Sequence, residues 1–253
     1  WGLYDEDLFR YLLKSLQEAS EPQFILAMTT TNHPPYQLPA SYSRPALQIP
    51  AELQKRLIVD SALSAQRFAT YRYSTDKLAE FLHQVKNSPL KDRLIIAVTG
   101  DHTFWIVNFS EQELLQKGSV PLYLYMPPAI RKKLDPESFG SQADIAPTLY
   151  NLALSNQEYD SLGRDLFSAT GDFAINASRL IVDRSGGVLT GKALQEDHFL
   201  NWQGDYERLI PGTENEHQKR LSVRYKSLMS ILDYYFMIEK NQQKGPAHAD
   251  SSR

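Results

Sequence analysis

The stretch Leu94-Ile95-Ile96-Ala97-Val98-Thr99-Gly100-Asp101-His102-Thr103 constrains the fold more than any other part of the chain. It is an apolar, largely β-branched run that stops abruptly on a carboxylate and an imidazole. A continuous apolar run of this kind predicts a strand buried on both faces, as in parallel sheets. In open α/β sheets, ligands bind beyond the carboxyl ends of the strands. Asp101 and His102 therefore fall where such an architecture keeps its chemistry. A carboxylate beside a neutral imidazole is a good donor pair for a divalent ion. Two adjacent donors do not complete a metal site, so further donors must come from elsewhere.

A second apolar run, Phe24-Ile25-Leu26-Ala27-Met28, reads as another buried strand and leads into Thr29-Thr30-Thr31-Asn32-His33-Pro34-Pro35-Tyr36. Polar groups again follow an apolar strand, and His33 becomes a second imidazole at a strand end. The helical spacing of Leu53, Leu57, Leu63, Phe68, Tyr71, Leu78, Phe81, Leu82 and Val85 predicts helix from Ala51 to about Val85. Ser74-Thr75-Asp76 could restart a second helix within it. Strand, helix, strand with both strands apolar is the βαβ signature of a parallel sheet. Val120 to Met126 reads as a third strand near an edge, because Pro121 cannot donate to a ladder.

Ahead of these, Asp5-Glu6-Asp7 opens a helix whose apolar stripe is Leu8, Phe9, Leu12, Leu13 and Leu16, with Pro22 beyond its end. Pro39, Pro45 and Pro50 mark an irregular loop. A short helix is expected over Glu111 to Gln116 and another from Ser141 through Leu154. Asp5, Ser141 and Asp144 read as helix caps.

Past Ser155 the texture changes to short strand-like pieces at Phe173–Ile175, Arg179–Val182, Gly187–Leu189 and Phe199–Trp202, with Gly186-Gly187 as a hairpin signal. A helix from about Glu214 to Glu239 follows, with Arg224, Tyr225, Tyr234 and Tyr235 expected to pack. His83 and His198 read as solvated. The expected architecture is α/β: a mostly parallel sheet flanked by helices over 1–155, then a small antiparallel meander with a C-terminal helix over 156–253.

Composition narrows the chemistry. With no cysteine, disulfides, zinc-thiolate sites and cysteine nucleophiles are excluded. A formal charge of -3 and no basic cluster give no sign of a nucleic-acid partner. No apolar run approaches the roughly 18 residues needed to span a bilayer. The chain opens on Trp1 without an initiator methionine, which suggests a piece of a longer protein whose targeting or membrane segment lies upstream.

Thr99-Gly100-Asp101-His102 after a strand, preceded by a helix containing Tyr73-Ser74-Thr75-Asp76, resembles the alkaline phosphatase/sulfatase superfamily. Asn32-His33-Pro34-Pro35-Tyr36 and Gly140-Ser141-Gln142-Ala143-Asp144-Ile145-Ala146-Pro147-Thr148-Leu149 fit the same pattern in the same order. Trp1-Gly2-Leu3-Tyr4-Asp5-Glu6-Asp7-Leu8-Phe9 and the segment from Arg224-Tyr225 to Asp233-Tyr234-Tyr235 narrow the likeness. It is to the lipoteichoic acid synthase-like branch, membrane-anchored phosphoglycerol transferases with an extracytoplasmic catalytic domain.

The resemblance implies one divalent ion, manganese foremost with zinc, magnesium or calcium as alternatives, for which Asp101 and His102 are the last two ligands. It implies that His33 meets the substrate phosphate or assists the leaving group. The family's glutamate ligand and threonine nucleophile lie upstream of the Trp1-Gly2 segment, so no nucleophile is expected in this chain; Thr29, Thr30 and Thr31 are poor substitutes. The implied partners are a lipid-linked or other anionic phospho- or sulfo-ester, the upstream part of the same protein, and a membrane reached through an upstream anchor. The Cys/Ser-x-Pro-x-Arg motif of sulfatases is absent. A sulfuric-ester hydrolase and a non-catalytic module binding an anionic headgroup are the competing readings.

Overall fold

The computed structural model describes residues 2–43, 47–132, 138–154, 157–168, 173–192 and 196–243. Trp1, Pro45, Ser155 and the polar tail past Gln243 lie outside the described residues. The chain forms two compact units, one of Trp1–Phe109 with Leu122–Arg131 and one of Ser110–Pro121 with Lys132–Arg253.

The first unit is built on two helices packed side by side. Helix α1 (Asp5–Glu18) carries its acidic first turn against the positive end of the helix dipole. Its apolar stripe meets Phe81, Val85 and Leu90 in one core cluster, and the rings of Phe9 and Phe81 stack at 5.2 Å. Helix α2 (Ala51–Gln54) is a single turn. Helix α3 (Ser61–Lys86) starts at Asp60, whose carboxylate accepts the Leu63 N–H at 2.9 Å.

Helix α3 runs unbroken through Ser74-Thr75-Asp76, where a restart was conceivable. Two bonds satisfy Thr75 and Asp76 without opening the backbone, while the Ser74 hydroxyl is buried without a hydrogen-bond partner among the described residues. The Thr75 hydroxyl donates to the Tyr71 carbonyl at 2.9 Å, and Tyr42 donates to the Asp76 carboxylate at 2.7 Å. Asn87 closes the helix just ahead of Ser88-Pro89.

Strand β1 (Ile96–Thr99) pairs antiparallel with β2 (Leu122–Tyr125), Ile96 opposite Tyr125 and Thr99 opposite Leu122. Between these lies α4 (Leu114–Gly118), which belongs to the second unit. The expected parallel sheet is therefore corrected: every strand pairing among the described residues is antiparallel. The run from Leu94 to Thr103 forms four residues of ladder, and these are half-buried or exposed. Pro121 sits just before β2, where its missing N–H costs no ladder bond.

Phe24 to Met28 forms no strand. It has no regular secondary structure and no ladder partner among the described residues, and Phe24, Leu26 and Met28 are 73%, 89% and 79% exposed. Its sequence is that of a buried strand, but it stays exposed among the described residues.

The second unit holds α5 (Ile145–Ala153) and a five-stranded meander of β3 (Phe173–Ile175), β4 (Leu180–Asp183), β5 (Gly186–Leu189), β6 (His198–Gln203) and β7 (Arg208–Pro211), in sequence order. Helix α6 (Glu216–Gln243) covers one face, with Leu221 and Tyr225 packed on Ile181 and Val188. On the other face Leu180, Val182, Leu200 and Leu209 form a separate cluster with Leu114 and Phe139. Strand β4 is thus buried throughout. The meander and its helix match the sequence expectation, with β7 as an addition.

Arg224 lies over the Phe173 ring and Tyr225 is buried, but Tyr234 and Tyr235 are exposed rather than packed. Among the described residues no helix is long and apolar enough to cross a membrane.

Gly186 opens β5 at φ +148°, and a Cβ there would lie 2.4 Å from the Leu200 carbonyl oxygen. Gly186→Ala should cost about 2 kcal/mol through backbone strain and this clash. Urea denaturation followed by Trp202 fluorescence measures it, and an unchanged midpoint would show that the β5–β6 spacing gives way.

Candidate active site around His33, Asp101 and His102

The loop after β1 presents Asp101 and His102 to solvent. The Asp101 carboxylate accepts the His102 backbone N–H at 2.9 Å, and its other oxygen lies 3.4 Å from His102 Nε2. His102 Nδ1 donates to the Thr103 carbonyl at 2.8 Å. A carbonyl only accepts, so this bond places a proton on Nδ1 and turns Nε2 toward the Asp101 carboxylate. A metal-ligating histidine is oriented in the same way by its other nitrogen. The Trp105 ring, 4.7 Å from the imidazole, supports it from the side.

Carboxylate oxygen and imidazole Nε2 lie side by side on one loop, so the pair fits part of a divalent ion's donor set. Among the described residues no group of three or more His, Cys, Asp or Glu side chains could hold a metal, and the pair stands as two donors.

His33 lies in a different loop, exposed, with Nδ1 donating to the Pro34 carbonyl at 3.2 Å. It too has its Nε2 turned away from the backbone bond. The Pro34–Pro35 peptide is cis, and Tyr36 follows with φ 57° and its N–H on the His33 carbonyl at 2.8 Å.

One stretch of α3 holds both loops. Thr70 donates to the Asn32 side chain at 3.0 Å and Gln66 to the Pro35 carbonyl at 3.3 Å. From the other loop, Phe104 packs on Phe68 at 5.0 Å and on Tyr71 at 5.9 Å. Arg67 lies against both, its guanidinium carbon 5.0 Å from the Tyr36 ring centroid and 4.9 Å from that of Phe104. The structure thus brings the two predicted segments onto one helical ledge, residues 66–71. Sequence reading missed Arg67. Its signal, an arginine among the aromatic residues Phe68, Tyr71 and Tyr73, was absorbed into the helix's packing stripe.

The entry to the His33 loop is fixed by Asp5. Its buried carboxylate accepts the Thr30 and Thr31 backbone N–H groups at 3.0 and 3.1 Å, and its own N–H donates to the Thr31 hydroxyl at 3.0 Å. Asp5 therefore ties a distant loop rather than capping its own helix, which has no side-chain cap. The Thr30 hydroxyl donates to the Leu3 carbonyl at 3.3 Å. Next to this tie, burial pushes the Tyr73 phenol up to about 12, although the Glu6 N–H donated to its oxygen works the other way.

In the second unit, Ser141 and Asp144, expected as helix caps, form a capping box, and Asp144 also accepts the Arg164 N–H at 2.9 Å. His217 Nε2 lies 2.6 Å from the Asp183 carboxylate, which also accepts the Ser185 hydroxyl at 2.7 Å. Serine and histidine both bind the carboxylate here and not one another, so this cluster lacks the serine–histidine bond of a nucleophilic triad. His83 and His198 are exposed, as expected.

The sulfatase family model matches residues 1–155. The chain is 27% identical over 245 residues to lipoteichoic acid synthase 1 of Bacillus subtilis (strain 168), covering 92% of this chain and 35% of that protein. It is 25% identical over 179 residues to a lipoteichoic acid synthase of Staphylococcus saprophyticus, covering 66% of this chain and 26% of that protein. The solved lipoteichoic acid synthase LtaP from Listeria monocytogenes has the same fold with a TM-score of 0.70 at 18% identity, over 93% of this chain and 60% of LtaP. A protein in the alkaline phosphatase superfamily from Vibrio parahaemolyticus follows at 0.67 and 18%, over 93% of this chain and 56% of that one. This chain spans about a third of the length of the first of these relatives. With more than half of its residues matched by the family model, the chain belongs to the sulfatase family.

Proposed function

We propose that this chain carries the metal- and leaving-group half of an envelope phosphoglycerol transferase. The observation that carries the reading is the Asp101–His102 pair, a carboxylate oxygen and an oriented Nε2 at 3.4 Å at the end of a strand in a sulfatase-family domain. In this reading Asp101 and His102 hold a single divalent ion, manganese foremost, together with ligands from the rest of the protein. Bound there, such an ion offsets charge on phosphoryl oxygens and lowers the pKa of a coordinated hydroxyl.

The nucleophile is supplied by a segment other than those described. The structural use of the Thr30 and Thr31 groups around Asp5 supports that assignment. A P–O bond forms to the nucleophile's oxygen, whose proton passes to solvent, and the P–O bond to the leaving alcohol breaks. His33, protonated at both nitrogens, keeps Nδ1–H on Pro34 and passes the Nε2 proton to the departing oxygen. The substrate is a lipid-linked phosphoglycerol, the activity is extracytoplasmic, and the protein reaches its membrane through an anchor outside these residues. Residues 1–155 serve as the catalytic segment and 156–253 as an appended meander.

His33→Gln in the full-length protein should lower kcat about a hundredfold with metal affinity unchanged. Manganese titration alongside lipid turnover checks both. If the variant turns over at the wild-type rate, His33 is not the proton donor. Cleavage of a sulfate ester in preference to a phosphodiester would favour the sulfatase reading instead.

A further inference from the structure

We propose that Arg67 is an anion-binding residue of this site, its guanidinium edge taking a non-bridging oxygen of the substrate's phosphate; the identity of that anion rests on the transferase reading. The guanidinium lies over the rings of Tyr36 and Phe104, 5.0 and 4.9 Å from their centroids. Contact with aromatic rings engages the face of a guanidinium and does not use up its in-plane N–H donors. Nε is fully buried and has no hydrogen-bond partner, and among the described residues no carboxylate pairs with the group.

Arg56 is the internal comparison. It also lies over a ring, Phe109 at 5.5 Å, but its Nε and Nη2 both donate to the Asn108 carbonyl at 3.1 and 2.9 Å. Stacking and hydrogen bonding are compatible in this fold, and only the second is missing at Arg67. A buried donor without an acceptor is costly to keep, and a planar fork of donors matches phosphate oxygens.

Position supplies the rest of the argument. Tyr36 closes the turn that begins at His33, and Phe104 follows His102 by two residues. The cation therefore sits at the seam between the two loops that carry the candidate catalytic groups. An oxyanion held there is within the reach of the site as a whole.

The test uses the full-length protein loaded with manganese, with glycerol 3-phosphate and inorganic phosphate as calorimetric probes. Arg67→Met, which keeps the apolar stem, should weaken glycerol 3-phosphate binding about tenfold or more, raise KM in parallel and leave kcat within a few-fold. Arg67→Lys keeps the charge without the fork and should fall between. Should the methionine variant fail to fold, the lysine variant decides alone.

Unchanged probe affinity in a folded variant would overturn the proposal and leave a stacking residue. Wild-type protein that binds neither probe would overturn it as well. If probe binding depends on Arg67 but no phosphodiester is turned over, the anion site stands and the transferase reading falls.

Discussion

Asp101→Ala in the full-length protein should abolish measurable manganese binding and lower phosphodiester turnover by about three orders of magnitude. The loss corresponds to the several kcal/mol of charge stabilisation a metal supplies in phosphoryl chemistry. The side chain is 83% exposed, so its loss opens no cavity in the core and the fold should stand. That separation makes the result interpretable: circular dichroism and melting should be close to wild type while the metal isotherm disappears. Asp101→Asn keeps shape and one oxygen and should bind metal weakly, with activity returning in part at high manganese. Manganese affinity and turnover that survive Asp101→Ala intact would remove the metal assignment from this loop.

The second large effect is structural and lies at Asp5. Asp5→Ala should destabilise the His33 loop by about 3 kcal/mol, because two backbone N–H groups lose the oxygen that satisfies them. The appropriate measurement is local. Amide exchange at Thr30 and Thr31 should accelerate about a hundredfold while amides in the middle of α3 stay protected. Asp5→Asn keeps one acceptor oxygen and should cost less than half as much. Equal protection at Thr30 and Thr31 in Asp5→Ala would mean that the Thr31 and Leu3 contacts hold the loop by themselves.

Local chemistry was the legible part of the sequence. Helix periodicity placed α1 and α3, the turn residues around Gly186 placed the meander, and Ser141 with Asp144 announced a helix cap. The apolar runs that lead into them drew attention to Asp101, His102 and His33, and the resemblance to a family gave those residues their roles. What the sequence concealed was long-range. Phe24 to Met28 has a strand's composition, but a strand exists only when a neighbour pairs with its backbone, and no such neighbour is present among the described residues. The pairing direction of β1 and β2 is likewise a property of the partner and cannot be read from either strand. Asp5 looked like a cap because carboxylates at helix starts usually are; its true partners lie 25 and 26 residues away. Arg67 was hidden for the same reason, since the two rings it contacts lie 31 residues before it and 37 residues after it in the chain.

Helix α3 has one more property, which concerns tolerance to insertion. The six residues 66–71 that carry both loops span about 7.5 Å along the axis, at a rise of about 1.5 Å per residue. The loops inherit their spacing from that rod and not from their own lengths. Chain can be added to the proline-rich segment after Tyr36 without altering where His33 meets the helix. One residue inserted between Gln66 and Tyr71 would turn one end of the ledge by about 100° relative to the other. Length variation in such a domain is thus permitted beside the site and forbidden beneath it.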